Sequence, residues 1–85
     1  MISCRYVIST NHGLHAANAM SLSRAASDYQ CKITLESAKG VAACKNVLSL
    51  MSLGAKQGES LILTADGPDE KLAMGYLSGI LRTIL

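Results

Sequence analysis

The apolar residues of this chain switch repeatedly between a spacing of two and a spacing of three or four, and that switching leaves few folds open. Ile2, Cys4, Tyr6 and Ile8 alternate with Ser3, Arg5, Val7 and Ser9, the pattern of a strand with one buried face. From Ala16 to about Asp28 the residues are mostly small, and Ala19, Leu22, Ala26 and Tyr29 recur at helical spacing, which predicts a helix pressed closely onto a sheet. Cys31, Ile33 and Leu35 mark a second strand. Ser37 to Gly40 turns the chain, and Val41 to Cys44 returns as a short third strand. Asn46 is a favoured N-cap for a short apolar helix of Val47, Leu48, Leu50, Met51 and Leu53, which Gly54 ends. Leu61, Leu63 and Ala65 give a fourth strand. Pro68, Asp69 and Glu70 then open a last helix whose Leu72, Ala73, Tyr76, Leu77, Ile80, Leu81 and Ile84 form a broad apolar stripe. Strand, helix, strand, strand, helix, strand, helix predicts a two-layer α+β sandwich with helices on one face of an antiparallel sheet.

With 85 residues there is room for one domain, spanning 1–85, and no room for a deep cleft between domains. That element order also serves RNA-recognition modules, so composition has to discriminate. Such modules stack bases on aromatic side chains, whereas this chain has no Phe, no Trp and three Tyr. Its 8 Lys and Arg against 6 Asp and Glu are scattered, and no basic stripe forms, so nucleic acid is not an expected partner. No apolar run approaches the roughly 18 residues of a membrane span, and no export signal is read at the N-terminus. Cys4, Cys31 and Cys44 are odd in number, lack C-x-x-C spacing and fall on apolar strand positions. They are expected to be small buried hydrophobes in a reducing cytoplasm, with no disulfide and no metal.

The run Asn11-His12-Gly13-Leu14-His15 sits where the first strand stops and the first helix begins. Free backbone N–H groups and the positive end of the helix dipole both favour an anion at that point. An imidazole there is suited to carry a phosphoryl group. His12 and His15 also have an i, i+3 spacing found in some metal sites, but no Cys, Asp or Glu clusters with them, so no metal is expected.

Taken together, Gly13-Leu14-His15-Ala16, the small-residue helix after it, Leu50-Met51-Ser52-Leu53-Gly54, Gln57-Gly58-Glu59 and Ala65-Asp66-Gly67 resemble the HPr family. Members are the histidine-containing phosphocarrier proteins of the bacterial phosphoenolpyruvate-dependent sugar phosphotransferase system. The resemblance covers the whole chain. It implies an open-faced β-sandwich with sheet order 1-4-2-3 under three helices, and a stoichiometric carrier in place of an enzyme, with no cofactor. His15 falls on the family's phosphoryl acceptor, which takes the group at Nδ1 from enzyme I and passes it to a sugar-specific enzyme IIA domain. Ala16 and Ala17, through their N–H groups, and His12 are expected to contact the phosphate. Met20, Val47, Leu48 and Met51 fall on the family's docking patch, while Leu50 and Leu53 are expected in the core. Weak, transient docking implies a monomer in the cytoplasm.

Two positions depart from the family pattern. Where Arg-Pro usually follows two residues after the histidine, this chain has Ala17-Asn18 and so lacks a guanidinium for the phosphoryl group. Arg24 lies too far along the helix to replace it locally, and Lys56 is the other cation considered. Asn46 stands where many family members carry a regulatory phosphorylatable serine; it keeps the capping role and removes the hydroxyl. The missing arginine supports an alternative reading: a degenerate HPr-like regulatory module that binds proteins and no longer transfers phosphate.

Overall fold

In a computed structural model describing residues 1–85, the first alternating segment forms β1 (Ile2–Val7), with Ile2, Cys4 and Tyr6 turned toward the core. The chain continues through α1 (Ala16–Ala26), β2 (Lys32–Ser37), β3 (Gly40–Ala43), α2 (Val47–Ser52), β4 (Ser60–Asp66) and α3 (Glu70–Ile84). The four strands form one antiparallel sheet in the order β1-β4-β2-β3, as expected. Register is set by the inward row. Cys4 faces Leu63, Leu63 faces Leu35, and Leu35 faces Ala42, so a slip of one residue in any strand would turn its apolar set to water.

Leu61, Leu63, Ala65, Ile33, Leu35 and Ala42 on this row are buried under Ala19 and Leu22 of α1, Leu50 of α2, and Ala73, Leu77 and Leu81 of α3. Each fully buried leucine contributes about 1.5–3 kcal/mol by leaving water. The opposite sheet face, with Arg5, Lys32, Glu36 and Ile62, is exposed.

Several boundaries differ from the sequence expectation: β1 ends at Val7, before Ile8, and α2 at Ser52, before Leu53. Helix α1 stops at Ala26, two residues before Asp28, because Ser27 caps it with its N–H on the Ser23 and Ala25 carbonyls. Tyr29 therefore lies beyond the helix and meets Tyr76 at 6.4 Å between ring centroids. Cys31 and Cys44 are buried just outside β2 and β3, not within them, and Cys4 is half-buried; all three are free thiols. Burial pushes the Cys44 thiol up to about 12, so it stays protonated.

The stripe expected on α3 is narrower than read. Leu72 is 73% exposed and Tyr76 54% exposed, whereas Met74, outside the expected set, is buried. Helix α3 begins after Gly67, whose positive φ of 156° lets the backbone pass so close that a Cβ there would lie 2.6 Å from the Cys31 Cβ. Asp69 precedes the first turn, but its carboxylate does not cap its own helix. It accepts the N–H groups of Gln30 (2.8 Å) and Cys31 (2.9 Å), tying the start of α3 to the entry of β2. Those bonds, Gln30's foremost, hold the Asp69 carboxyl below the usual carboxylate range.

Candidate functional site

The segment between β1 and α1 has no regular structure of its own and is held by hydrogen bonds to its neighbours. Ser9 and Thr10 donate their N–H groups to the Leu85 carbonyl (both 2.9 Å), and the Gln57 amide donates to the Ser9 carbonyl (3.1 Å). Gly13 then takes a left-handed φ of 63°. A Cβ on Gly13 would stand 2.3 Å from the Ala55 carbonyl oxygen and 2.9 Å from the Lys56 Cα. Only glycine fits both the dihedral and the space. The close approach lets the Leu14 N–H reach the Ala55 carbonyl (2.9 Å) while the Leu14 side chain enters the core.

His15 follows as the N-cap of α1, exposed and in an extended conformation. Its Nδ1 accepts the Ala17 N–H at 3.3 Å, and its carbonyl accepts the Ala19 N–H at 2.8 Å. A neutral ring that accepts at Nδ1 carries its hydrogen on Nε2. The Ala16 N–H, in the same first turn, makes no hydrogen bond within the chain, and Ala16 is exposed. No acidic residue occupies the first turn of α1, so the N-terminal dipole is not neutralised there.

Asn18 is the residue that sequence reasoning missed. It is buried at position three of α1, where its Oδ1 accepts the His15 N–H (2.7 Å) and its Nδ2 donates to the Gly13 carbonyl (2.8 Å). One amide thus clamps both sides of Leu14. The signal was present as His-x-x-Asn, the spacing of a reciprocal cap in which the third helical side chain reaches back to the N-cap backbone.

Of the other residues expected near the site, His12 is exposed, with its ring centroid 6.1 Å from that of His15 and the planes at 84°. Lys56 is exposed, and its N–H donates to the Glu59 carboxylate on the same loop. Arg24 lies in the last turn of α1, about 14 Å along the axis from His15 at 1.5 Å per residue. The residues present include no group of three His, Cys, Asp or Glu placed to hold a metal.

Beside the site, Met20 on α1 and Leu48 and Met51 on α2 are 49%, 77% and 42% exposed. Val47 is half-buried against the core, and Leu50 and Leu53 lie within it. Asn46 caps α2 by accepting the Ser49 N–H (3.2 Å), which leaves this short helix with one buried side and an apolar outer one. No helix is long and apolar enough to cross a membrane.

Residues 2–83 match the family profile described as "PTS HPr component phosphorylation site". The phosphocarrier protein HPr of Mycoplasma pneumoniae is 30% identical over 83 residues, spanning 96% of this chain and 94% of its own. Among solved structures, HPr-C-His from Thermoanaerobacter tengcongensis superimposes with a TM-score of 0.90 at 30% identity, covering 98% of this chain and 93% of that one. An HPr dimer from the same organism matches with a TM-score of 0.76 at 31% identity, covering 92% and 90% of the two chains. An open-faced sandwich of order β1-β4-β2-β3 thus agrees with the solved structures, and the profile and relatives cover nearly the whole chain: it belongs to the HPr family of phosphocarrier proteins of the phosphotransferase system.

Proposed function

We propose that His15 accepts a phosphoryl group at Nδ1 from phosphorylated enzyme I and passes it to an enzyme IIA domain, as a monomeric carrier in the cytoplasm. The observation that carries this reading is the placement of an exposed His15 whose Nδ1 faces the Ala17 N–H. In the uptake step the Nδ1 lone pair attacks phosphorus, the Nδ1–P bond forms, and the bond from phosphorus to the donor atom of phosphorylated enzyme I breaks with its electron pair staying on that donor. The Ala16 and Ala17 N–H groups then lie beside the equatorial oxygens, with His12 across from them. Incubation with enzyme I and labelled phosphoenolpyruvate tests the proposal. Acid-labile label at a stoichiometry near one is the expected result; none, with an authentic HPr labelled in parallel, favours the regulatory module that Ala17 suggests.

Met20, Val47, Leu48 and Met51 supply the docking surface in this reading. Exposed methionines suit a patch that meets several partners in turn. Met51→Glu is expected to weaken binding to enzyme I by about tenfold or more by burying an unpaired charge in the complex. Its melting temperature should stay within a few degrees of wild type, because Met51 is partly exposed. Calorimetric titration and a thermal melt read the two effects separately.

Ala17→Arg restores a guanidinium in the first turn, where Ala17 is exposed and leaves room for a long side chain. A charge-assisted hydrogen bond of about 1.5–3 kcal/mol would speed transfer roughly 10- to 100-fold if none of it is already supplied. A cation at a helix N-terminus costs about 0.3–1 kcal/mol, so the unphosphorylated variant should melt slightly lower. Rapid-quench rates with enzyme I check the gain; an unchanged rate means that another group already provides the charge.

A further inference from the structure

Nothing in the first turn of α1 replaces the missing guanidinium, yet a second titratable ring stands next to the acceptor. His12 and His15 are 6.1 Å apart between centroids, edge to face, and both are exposed. The bonds that hold the loop all involve other residues: Ser9 and Thr10 donate to Leu85, Asn18 to the Gly13 carbonyl and Leu14 to Ala55. The His12 ring contributes no hydrogen bond to that scaffold, so the fold does not account for it.

We propose that His12, as an imidazolium, is the cation that steadies the phosphoryl group on His15, so that transfer through His15 weakens as rising pH removes its proton. The inference rests on the reading of His15 as the phosphoryl acceptor. An imidazole changes charge between about pH 5 and 8, and a phosphoryl dianion nearby favours the charged form. The titratable and charged groups on the elements that meet this loop are His15 itself, Lys56 and Glu59 on the segment under Gly13, and Arg82 in the last turn of α3. Lys56 is the rival cation. Its backbone N–H is held by the Glu59 carboxylate, which also lies 4.0 Å from the Lys39 ammonium, and the Lys56 ammonium makes no hydrogen bond to the His15 loop. The first turn of α1 presents no acid to compete for His12.

Chemical loading separates this inference from the question of partners. Phosphoramidate phosphorylates the ring without enzyme I: the Nδ1–P bond forms as the P–N bond of the N-protonated donor breaks, and the electron pair of that bond leaves with ammonia. In wild type loaded this way, the NMR titration midpoint of His12 is expected to rise by roughly half a pH unit or more relative to the free protein. With phosphoramidate as donor, His12→Gln should load about tenfold more slowly at the wild-type optimum, and the ratio of the wild-type rate to the His12→Gln rate should fall toward one as pH rises, the donor's own deprotonation cancelling in the ratio. His12→Arg, a fixed cation, should load at the wild-type optimum rate and keep its advantage over His12→Gln at alkaline pH. A His12 midpoint unmoved by loading, a ratio of wild type to His12→Gln that does not change with pH, or a loss that follows Lys56→Gln instead overturns the inference. A shifted His12 midpoint with no labelling by enzyme I leaves it standing and sinks the carrier reading alone; failure of phosphoramidate to load His15 sinks both.

Discussion

His15→Ala is expected to take up no acid-labile phosphate from enzyme I and labelled phosphoenolpyruvate, while keeping its fold. The loss is complete because a methyl group has no lone pair, and Nδ1 is the atom placed against the Ala17 N–H. Stability should barely change. The side-chain cap bond is long at 3.3 Å, whereas the stronger link, from the residue 15 N–H to Asn18 Oδ1 at 2.7 Å, uses the backbone and survives in alanine. Losing an N-cap side chain costs about 0.5–2 kcal/mol, and a weak, exposed cap belongs at the low end of that range. Label counts after acid treatment and a thermal melt on the same preparation check both halves. Acid-labile label retained by the variant would place the phosphoryl group on another residue.

Gly13→Ala has the largest expected effect on the fold. The new Cβ would meet the Ala55 carbonyl oxygen at 2.3 Å in a backbone conformation, φ 63°, that L side chains avoid. The loop must lift. Lifting breaks the bond from Leu14 to Ala55, draws Leu14 out of the core and slackens the Asn18 bond to the Gly13 carbonyl. A destabilisation of about 2–4 kcal/mol is expected, equivalent to a fall of roughly 10–20 °C in melting temperature for a domain this small. Phosphoryl uptake should drop as well, since His15 sits two residues beyond the displaced point. A melt within two degrees of wild type would show that the loop does not depend on contact with Ala55.

The sequence made the sheet legible because inward and outward residues differ sharply along each strand: Leu61, Leu63 and Ala65 against Ser60, Ile62 and Thr64. In β4 only Ile62 breaks the alternation; elsewhere the exposed Val7 and Val41 and the buried Ser37 do so. Helix α3 was harder, because two adjacent rows on it are apolar. The row Leu72-Tyr76-Ile80 and the row through Met74, Leu77 and Leu81 satisfy helical spacing equally well, and packing against β1, β4 and α1 selects the second. Periodicity ranks faces by hydrophobicity and cannot tell which of two apolar faces a neighbour covers. At the candidate site, His15 and the absent guanidinium were read directly. Asn18 was read as a departure from a family pattern, and its function as a clamp depends on a turn that brings Gly13, three-dimensionally, back over the helix start. Ala55 could not be found from local sequence, since it reaches the loop from forty-two positions beyond Gly13.

The bond between Ala17 and Nδ1 has a thermodynamic consequence. On the proposed reading of His15 as acceptor, the amide occupies the lone pair that attack on phosphorus would use, so the empty site offers this nucleophile a placeholder in the position of the incoming group. At 3.3 Å that placeholder is easily displaced, and the same N–H is then free to turn to a phosphoryl oxygen. One donor serves both states with little net gain or loss. On the proposed reading this one contact favours neither the loaded nor the empty form, and the balance between them is set by the phosphoryl-transfer potentials of donor and acceptor.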